Sequence, residues 1–321
     1  MQFAERLMQG MVVALLFAAG AAYAQKDAGK LVVGYPPGQS VDLVARLLAE
    51  QLGPAIGRHL IVENMPGQAG SVALAAVARM PADGSVMTLS AAAAVAGNPF
   101  LYKNVRYDSL KDFEPIGLIY DAPLVLMVNS ALPVNTLEEL VAYVKAHAGK
   151  LNFSSPGNGS VAHLAMAELM RRTGMTMTHV PYQGSAKSLT DLAAGEVQVS
   201  FDAYAAAKPF LAGGKVRAVA VSSAERIAAL PAVPAVAESD VRDFDLVPWV
   251  GLLAPAGTPK ALVDKVSEEL SKIVASPEFS QRIVSLGGRP RSRTAAEFKA
   301  YVRAEIDRWA AVIRASNARV E

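Results

Sequence analysis

Residues 151–169 read LNFSSPGNGSVAHLAMAEL, and the fold class turns on them. A short apolar run ends at Phe153. Seven small or turn-forming residues follow, Ser154 to Ser160, and a helical pattern opens at Val161. Strand, glycine-rich loop and helix in that order turn bare backbone N–H groups toward an anion at the positive end of the helix. The same order recurs upstream. KLVVGY leads through PPGQS into a helix predicted over 41–52, and a strand at 60–63 leads through a Pro/Gly loop into a helix over 72–80. A further strand is predicted at 86–90. Strands spaced by helices of this length predict βαβ units and a parallel sheet, hence an α/β fold.

Two long apolar runs, 123–129 and 247–254, bracket a middle segment of domain size. A chain that leaves one domain, builds a second and returns has two lobes, two crossings and a cleft between them, where small ligands bind. The expected division is 25–124 with 250–321 for the first lobe and 125–249 for the second. A last helix is expected over 295–315, with Phe298, Val302, Ile306 (or Glu305 beside it), Trp309 and Ile313 as a core-packing stripe. Residues 1–24 read as a leader, with Arg6 near the start, an apolar run over 11–19 and Ala22-Tyr23-Ala24 before Gln25. That pattern predicts export and cleavage after Ala24. The apolar run is shorter than the roughly 20 residues of a membrane span, so the mature chain is not expected to cross a membrane.

The composition narrows the chemistry. No cysteine is present, which excludes disulfides, thiolate nucleophiles and cysteine metal sites. The formal net charge of +2 lacks the basic excess of a nucleic-acid binder. Residues 157–162 formally fit G-x-G-x-x-G/A, but the next strand ends THVPY, without the acid a dinucleotide site needs. No Gly-Lys-Ser/Thr follows for a Walker loop, no G-x-S-x-G elbow occurs, and the four histidines lack the H-E-x-x-H spacing. Ser160 and His163 sit at N-cap and N3, a capping arrangement without chemistry. Ser160 could therefore be a plain cap or part of an anion site. Asp42, in the first turn of its helix, could complement the helix dipole or bond loop N–H groups or a ligand amine. If each lobe brings one helix N-terminus to the cleft, the pair suits a small carboxylate. Neither loop carries Lys or Arg, which a phosphate would call for.

Eight blocks in one order make a specific resemblance: YPPGQSVDLVARLLAEQL, VENMPGQAG, PADGSVMTL, NPFLYKNVRYDSLKDFEPIG, SSPGNGSVAHLAMAELM, HVPYQGSAKSLTDLAAGEVQVSFD, VRAVAVSSAERIAALPAVPAVAE and WVGLLAPAGTP. The chain resembles the tripartite tricarboxylate transporter receptor family, the extracytoplasmic solute receptors also called Bug proteins. The resemblance implies a two-lobed periplasmic-binding-protein fold of type II. It also implies a periplasmic receptor that closes over a small carboxylate, without catalysis, cofactor or metal. The implied partners are integral-membrane transporter subunits or a membrane sensor, with the receptor itself a monomer. An exported α/β hydrolase is the disfavoured alternative. By position, the implied ligand residues are Pro37, Gly38, Gln39, Ser40 and Asp42 in the first loop. Ser90 follows, with a loop of alanines at 91–94. The second lobe contributes Ser154, Ser155, Asn158, Gly159, Ser160 and His163, together with Tyr182, Gly184 and Asp202. The chain departs from the family where Gln39 replaces a glycine of Ala-Gly-Gly-x-x-Asp and where hydroxyl and aromatic groups give way to alanine at 91–94. Both changes could favour a smaller or less polar solute.

Overall fold

The computed structural model describes residues 28–316, so the expected leader and its cleavage site lie outside the described residues. Two sheets form the body. The first runs β1 (Ala28–Val33), α1 (Ser40–Ile56), β2 (His59–Asn64), α2 (Ser71–Val77), β3 (Val86–Ala91), a π-helical stretch (Ala93–Gly97), α3 (Asn98–Leu101) and β4 (Phe113–Asp121). The second runs β5 (Leu124–Asn129), α4 (Leu137–Ala146), β6 (Asn152–Ser155), α5 (Val161–Thr173), β7 (Thr178–Pro181), α6 (Ser185–Ala194), β8 (Val199–Ala203), α7 (Tyr204–Ala212) and β9 (Val216–Val221). The chain then returns with β10 (Trp249–Pro255), α8 (Lys260–Ala275), α9 (Pro277–Ser285), β11 (Arg289–Arg293) and α10 (Ala295–Ser316).

The strand orders are β11-β4-β10-β3-β1-β2 and β7-β6-β8-β5-β9. Both sheets are mixed, not parallel as the βαβ spacing predicts. β1 lies parallel to β2 and β3, but β10 runs antiparallel to β3 and β4, and β5 runs antiparallel to β8 and β9. The crossings explain this. β4 delivers the chain to β5 through Ala122 and Pro123 alone, so β5 must start where β4 stops. β10 re-enters from the same side. The C-terminal ends of β1, β2, β3 and β4 in one sheet, and of β6, β7, β8 and β9 in the other, therefore point toward the opposite sheet. Leu31, Val32 and Val33 in β1, and Val125 to Val128 in β5, are fully buried, as in strands covered on both faces.

α10 ties the two bodies together. Phe298, Val302, Trp309, Val312 and Ile313 are buried along one side, and the helix packs on β4, on the π-helical stretch and on α5 of the second sheet. Each large apolar side chain buried there contributes roughly 1.5–3 kcal/mol. Ile306 of the expected stripe is only half-buried, and Glu305 beside it is buried instead. Its Oε2 accepts from both indoles, Trp249 Nε1 at 2.9 Å and Trp309 Nε1 at 3.0 Å, and Arg308 pairs with its other oxygen. Burial raises the Glu305 carboxyl above its ordinary range.

Removing this acceptor strands two buried indole donors, each costing about 1–3 kcal/mol. Glu305→Ala is expected to lose roughly 2–5 kcal/mol in urea unfolding, and Glu305→Gln, which keeps an acceptor, less than half of that. Equal losses in the two variants would mean that the indole bonds are not what Glu305 supplies.

Candidate functional site

β1 ends in the loop Tyr35-Pro36-Pro37-Gly38-Gln39-Ser40, exposed from Pro36 to Ser40. The structure chooses between the two readings of Asp42. Its carboxylate, almost fully buried, accepts from Gly38 N–H at 2.8 Å, from Asn64 Nδ2 at 2.8 Å and from Arg46 Nε and Nη2 at 3.0 Å each. It braces the loop, with both oxygens engaged by the protein. Burial opposes its charge, but the Arg46 guanidinium and the Gly38 and Asn64 donors outweigh that and hold the carboxyl below its ordinary range. α1 has no side-chain cap, so the amides of its first turn lack that partner. A Cβ on Gly38, at φ +84°, would meet nothing within 4 Å, and the same holds for Gly184 in the second lobe. Both backbones border open space.

The neighbouring strand ends are tied to this loop. Gln68 and Ala69, after β2, hold φ of 45° and 49°, a left-handed conformation costing roughly 1–3 kcal/mol per non-glycine residue. Asn98 Nδ2 donates to Gln68 O and to Ser71 Oγ at 2.7 Å each, Ser71 Oγ meets the Tyr107 hydroxyl at 3.0 Å, and that hydroxyl donates to Ala94 O. Tyr35 donates to Ala69 O at 3.2 Å. Of the four alanines expected as a loop after Ser90, Ala91 ends β3, Ala92 caps the next segment, and Ala93 and Ala94 open the π-helical stretch, whose Ala94 carbonyl Tyr107 holds. Ser90 itself is a buried residue of β3. π-Helical segments occur frequently at functional sites, but alanine gives no signal for one.

In the second lobe Ser160 caps α5, accepting from His163 N–H at 3.2 Å. The His163 ring braces the loop, because its Nδ1 accepts from Gly159 N–H at 3.1 Å. Ser154 and Ser155 lie buried beneath. Ser154 Oγ accepts from Ser188 Oγ at 2.8 Å, and Ser155 Oγ donates to Gly157 O at 3.0 Å and meets His179 Nε2 at 2.7 Å. Gly184 N–H donates to Pro156 O at 3.0 Å. Tyr182 is turned to α6, its hydroxyl on Asp191 Oδ2 at 2.9 Å. Asp202, buried at the end of β8, takes Ser185 Oγ on Oδ1 at 2.7 Å and leaves Oδ2 without a hydrogen-bond partner among the described residues. Burial pushes its carboxyl up to about 6.

Four site residues keep polar side chains that no other described residue hydrogen-bonds: exposed Gln39 and Ser40 from the first loop, buried Ser90 near the end of β3, and exposed Asn158 from the second loop. The nearby cations are taken: Arg46 by Asp42 and Lys187 by Asp191. The arrangement offers neutral donors and helix N-termini, which suits a singly charged anionic group. Sequence reasoning missed Asn64, Tyr107, Asn98 and His179. Each lies in a block that the resemblance already marks: Asn64 in VENMPGQAG, Asn98 and Tyr107 in NPFLYKNVRYDSLKDFEPIG, and His179 at the start of HVPYQGSAK.

A model of the family described as "Tripartite tricarboxylate transporter family receptor" matches residues 44–318. Protein BugT of Bordetella pertussis is 31% identical, over 91% of this chain and 90% of its own length. Among solved structures, R. palustris Rpa4515 with adipate aligns with a TM-score of 0.76 at 31% identity, over 91% of this chain and 98% of its own. MatC from Rhodopseudomonas palustris with bound malate aligns with a TM-score of 0.71 at 30% identity, over 89% of this chain and 98% of its own.

Half-buried His179 and buried Asp202 give stability opposite slopes in acid. Burial and the adjacent His163 lower His179 from 6.5 to about 4, so the stability it contributes is full above 6.5 and is lost as pH falls toward 4. Asp202 rises from 3.8 to about 6, so its contribution is full below 3.8 and is lost as pH rises through 6. Asp202→Asn should therefore make stability climb more steeply with pH across this window than wild type, and His179→Phe less steeply. Urea midpoints measured at several pH values check this, and three parallel profiles would refute it.

Proposed function

The chain belongs to the tripartite tricarboxylate transporter receptor family, and from that premise we propose that it captures a small carboxylate between the loop at 36–42 and the loop at 156–160. It is a solute-binding receptor with the two-lobed, type II periplasmic-binding-protein fold. No helix among the described residues is long and apolar enough to cross a membrane. The first lobe is 25–124 with 250–321 and the second 125–249. The partition of strands supports this, with one sheet drawn from 28–121 and 249–293 and the other from 124–221. The leader is cleaved after Ala24, so the exported protein begins at Gln25.

The observation that carries the reading is the set of unengaged donors on both loops, beside cations already neutralised by internal acids. Gln39, Ser40 and Asn158 offer side-chain donors. Pro37, Gly38 and Ser90 line the first-lobe end, and Gly159, Ser160 and Gly184 the second. Asp42, Ser154, Ser155, His163 and Tyr182 hold the frame, and Asp202 presents its unpartnered oxygen. Adipate and malate, the ligands of two similar proteins, are small dicarboxylates. A membrane transporter of the family receives the solute, which leaves the receptor chemically unchanged.

Calorimetric titration with mono-, di- and tricarboxylates tests this. For the solute that binds, Asn158→Ala and Gln39→Ala should each lose about 1.5–3 kcal/mol, roughly one to two decades of affinity, with unfolding midpoints unchanged. The solute should be recovered intact after long incubation. Wild-type affinity in both variants would place the site elsewhere, and a product formed only in the presence of the protein would favour catalysis.

A further inference from the structure

We infer that the stacked imidazoles of His163 and His179 position the solute-binding loop of the second lobe, and that acid releases the solute by protonating His163. This rests on the reading that residues 156–160 hold the solute. Three rings stack: Phe153 and His179 have centroids 4.7 Å apart, and His179 and His163 lie 4.0 Å apart and 6° from parallel. Each imidazole holds one neighbour of Asn158. His163 Nδ1 accepts directly from Gly159 N–H. His179 meets Ser155 Oγ, which donates to Gly157 O and accepts from Gly157 N–H at 3.3 Å. The donor side chain of Asn158 is thus suspended between two histidine-held glycines.

The hydrogen bond from Gly159 needs a lone pair on His163 Nδ1, so that nitrogen carries no proton. Protonation turns the acceptor into a donor facing another donor, and the loop must move. Burial holds both imidazoles below their ordinary range, and a charge on His163 opposes a second on His179. The elements packed on the pair bring Asp202 from β8, Lys187 with Asp191 from α6, and Glu305 with Arg308 from α10. α5 itself carries Glu168, paired with Arg171 and Arg172. Of these ionisable side chains, Asp202 alone has no ion-pair partner, and its titration is shared by wild type and every histidine variant.

The test pairs two readouts in the full-length protein. The first is the Gly159 amide resonance in solute-free protein between about pH 7.5 and about pH 4.5, the range in which perturbed histidines titrate. The second is calorimetric affinity for malate and adipate at the two ends. The variants are His163→Asn, whose side-chain oxygen can still accept from Gly159 without titrating, His163→Ala and Asn158→Ala. In wild type the Gly159 amide should shift in acid and affinity fall roughly tenfold more than in His163→Asn. His163→Asn should keep neutral-pH affinity within about threefold, and His163→Ala should be weak throughout. A Gly159 amide that does not titrate overturns the inference, as does equal acid loss in wild type and His163→Asn. Unchanged affinity in Asn158→Ala at both pH values overturns instead the placement of the solute at this loop, whatever the amide does.

Discussion

β4 ends at Asp121 and β5 begins at Leu124, so two residues carry the chain from one sheet to the other. The rest of the structure depends on that short crossing. It forces β5 to run against its neighbours, and the returning β10 to run against β3 and β4. With the directions set, the glycine-rich turns after β1, β2, β6 and β7 all open toward the gap between the sheets. Helices that follow those turns point their N-termini the same way, and their dipoles add to a positive potential in that gap.

The charges around the gap are arranged so that this potential stays modest. Asp42 is fully used by Arg46, Asn64 and Gly38, and Asp191 by Lys187 and Tyr182. The first pair is half-exposed on its arginine side, and exposed pairs contribute little to stability by themselves. Their consequence is electrostatic and geometric. No free cation is left among these groups to hold an anion tightly, and the loops are fixed by internal bonds. A receptor that must release its cargo benefits from both properties, because neutral donors hold a carboxylate with moderate strength and a braced loop has little conformational entropy left to lose.

α10 sets the limit on independence of the lobes. It lies on the first sheet through Phe298 and on the second through α5, while Glu305 binds the indole of Trp249 at the start of β10, beside the second crossing. Arg289, on the edge strand, forks onto Asp121 at 2.8 and 2.9 Å, at the end of β4. Both crossings are therefore pinned by buried or half-buried charge contacts, and any change in the gap must work around these points.

Contacts close in sequence were legible from the chain alone. Ser160 and His163 are three residues apart, so the N-cap of α5 follows from local geometry. The two apolar runs at 123–129 and 247–254 marked both crossings, because strands buried on both faces lose their alternation. What tertiary structure decided involves partners far apart. Asp42 became a loop brace because Asn64, 22 residues on, arrives from β2. His179 reaches His163 only because β7 lies beside β6. β4 carries Pro115 and Gly117, residues that locally break a strand pattern. In the fold the pairing with β10 shifts register twice along β4, leaving Ile116 and Ile119 unpaired with β10, and a Cβ on Gly117 would come within 2.7 Å of Leu270. β11, with its RPRSR sequence, has no apolar alternation and exists as an edge strand because Asp121 and β4 offer it partners. Hydrophobic period and local capping are written within one or two turns of chain. Pairing between strands, and the roles it gives to buried polar groups, arises only when segments distant in sequence are brought within a hydrogen bond of each other.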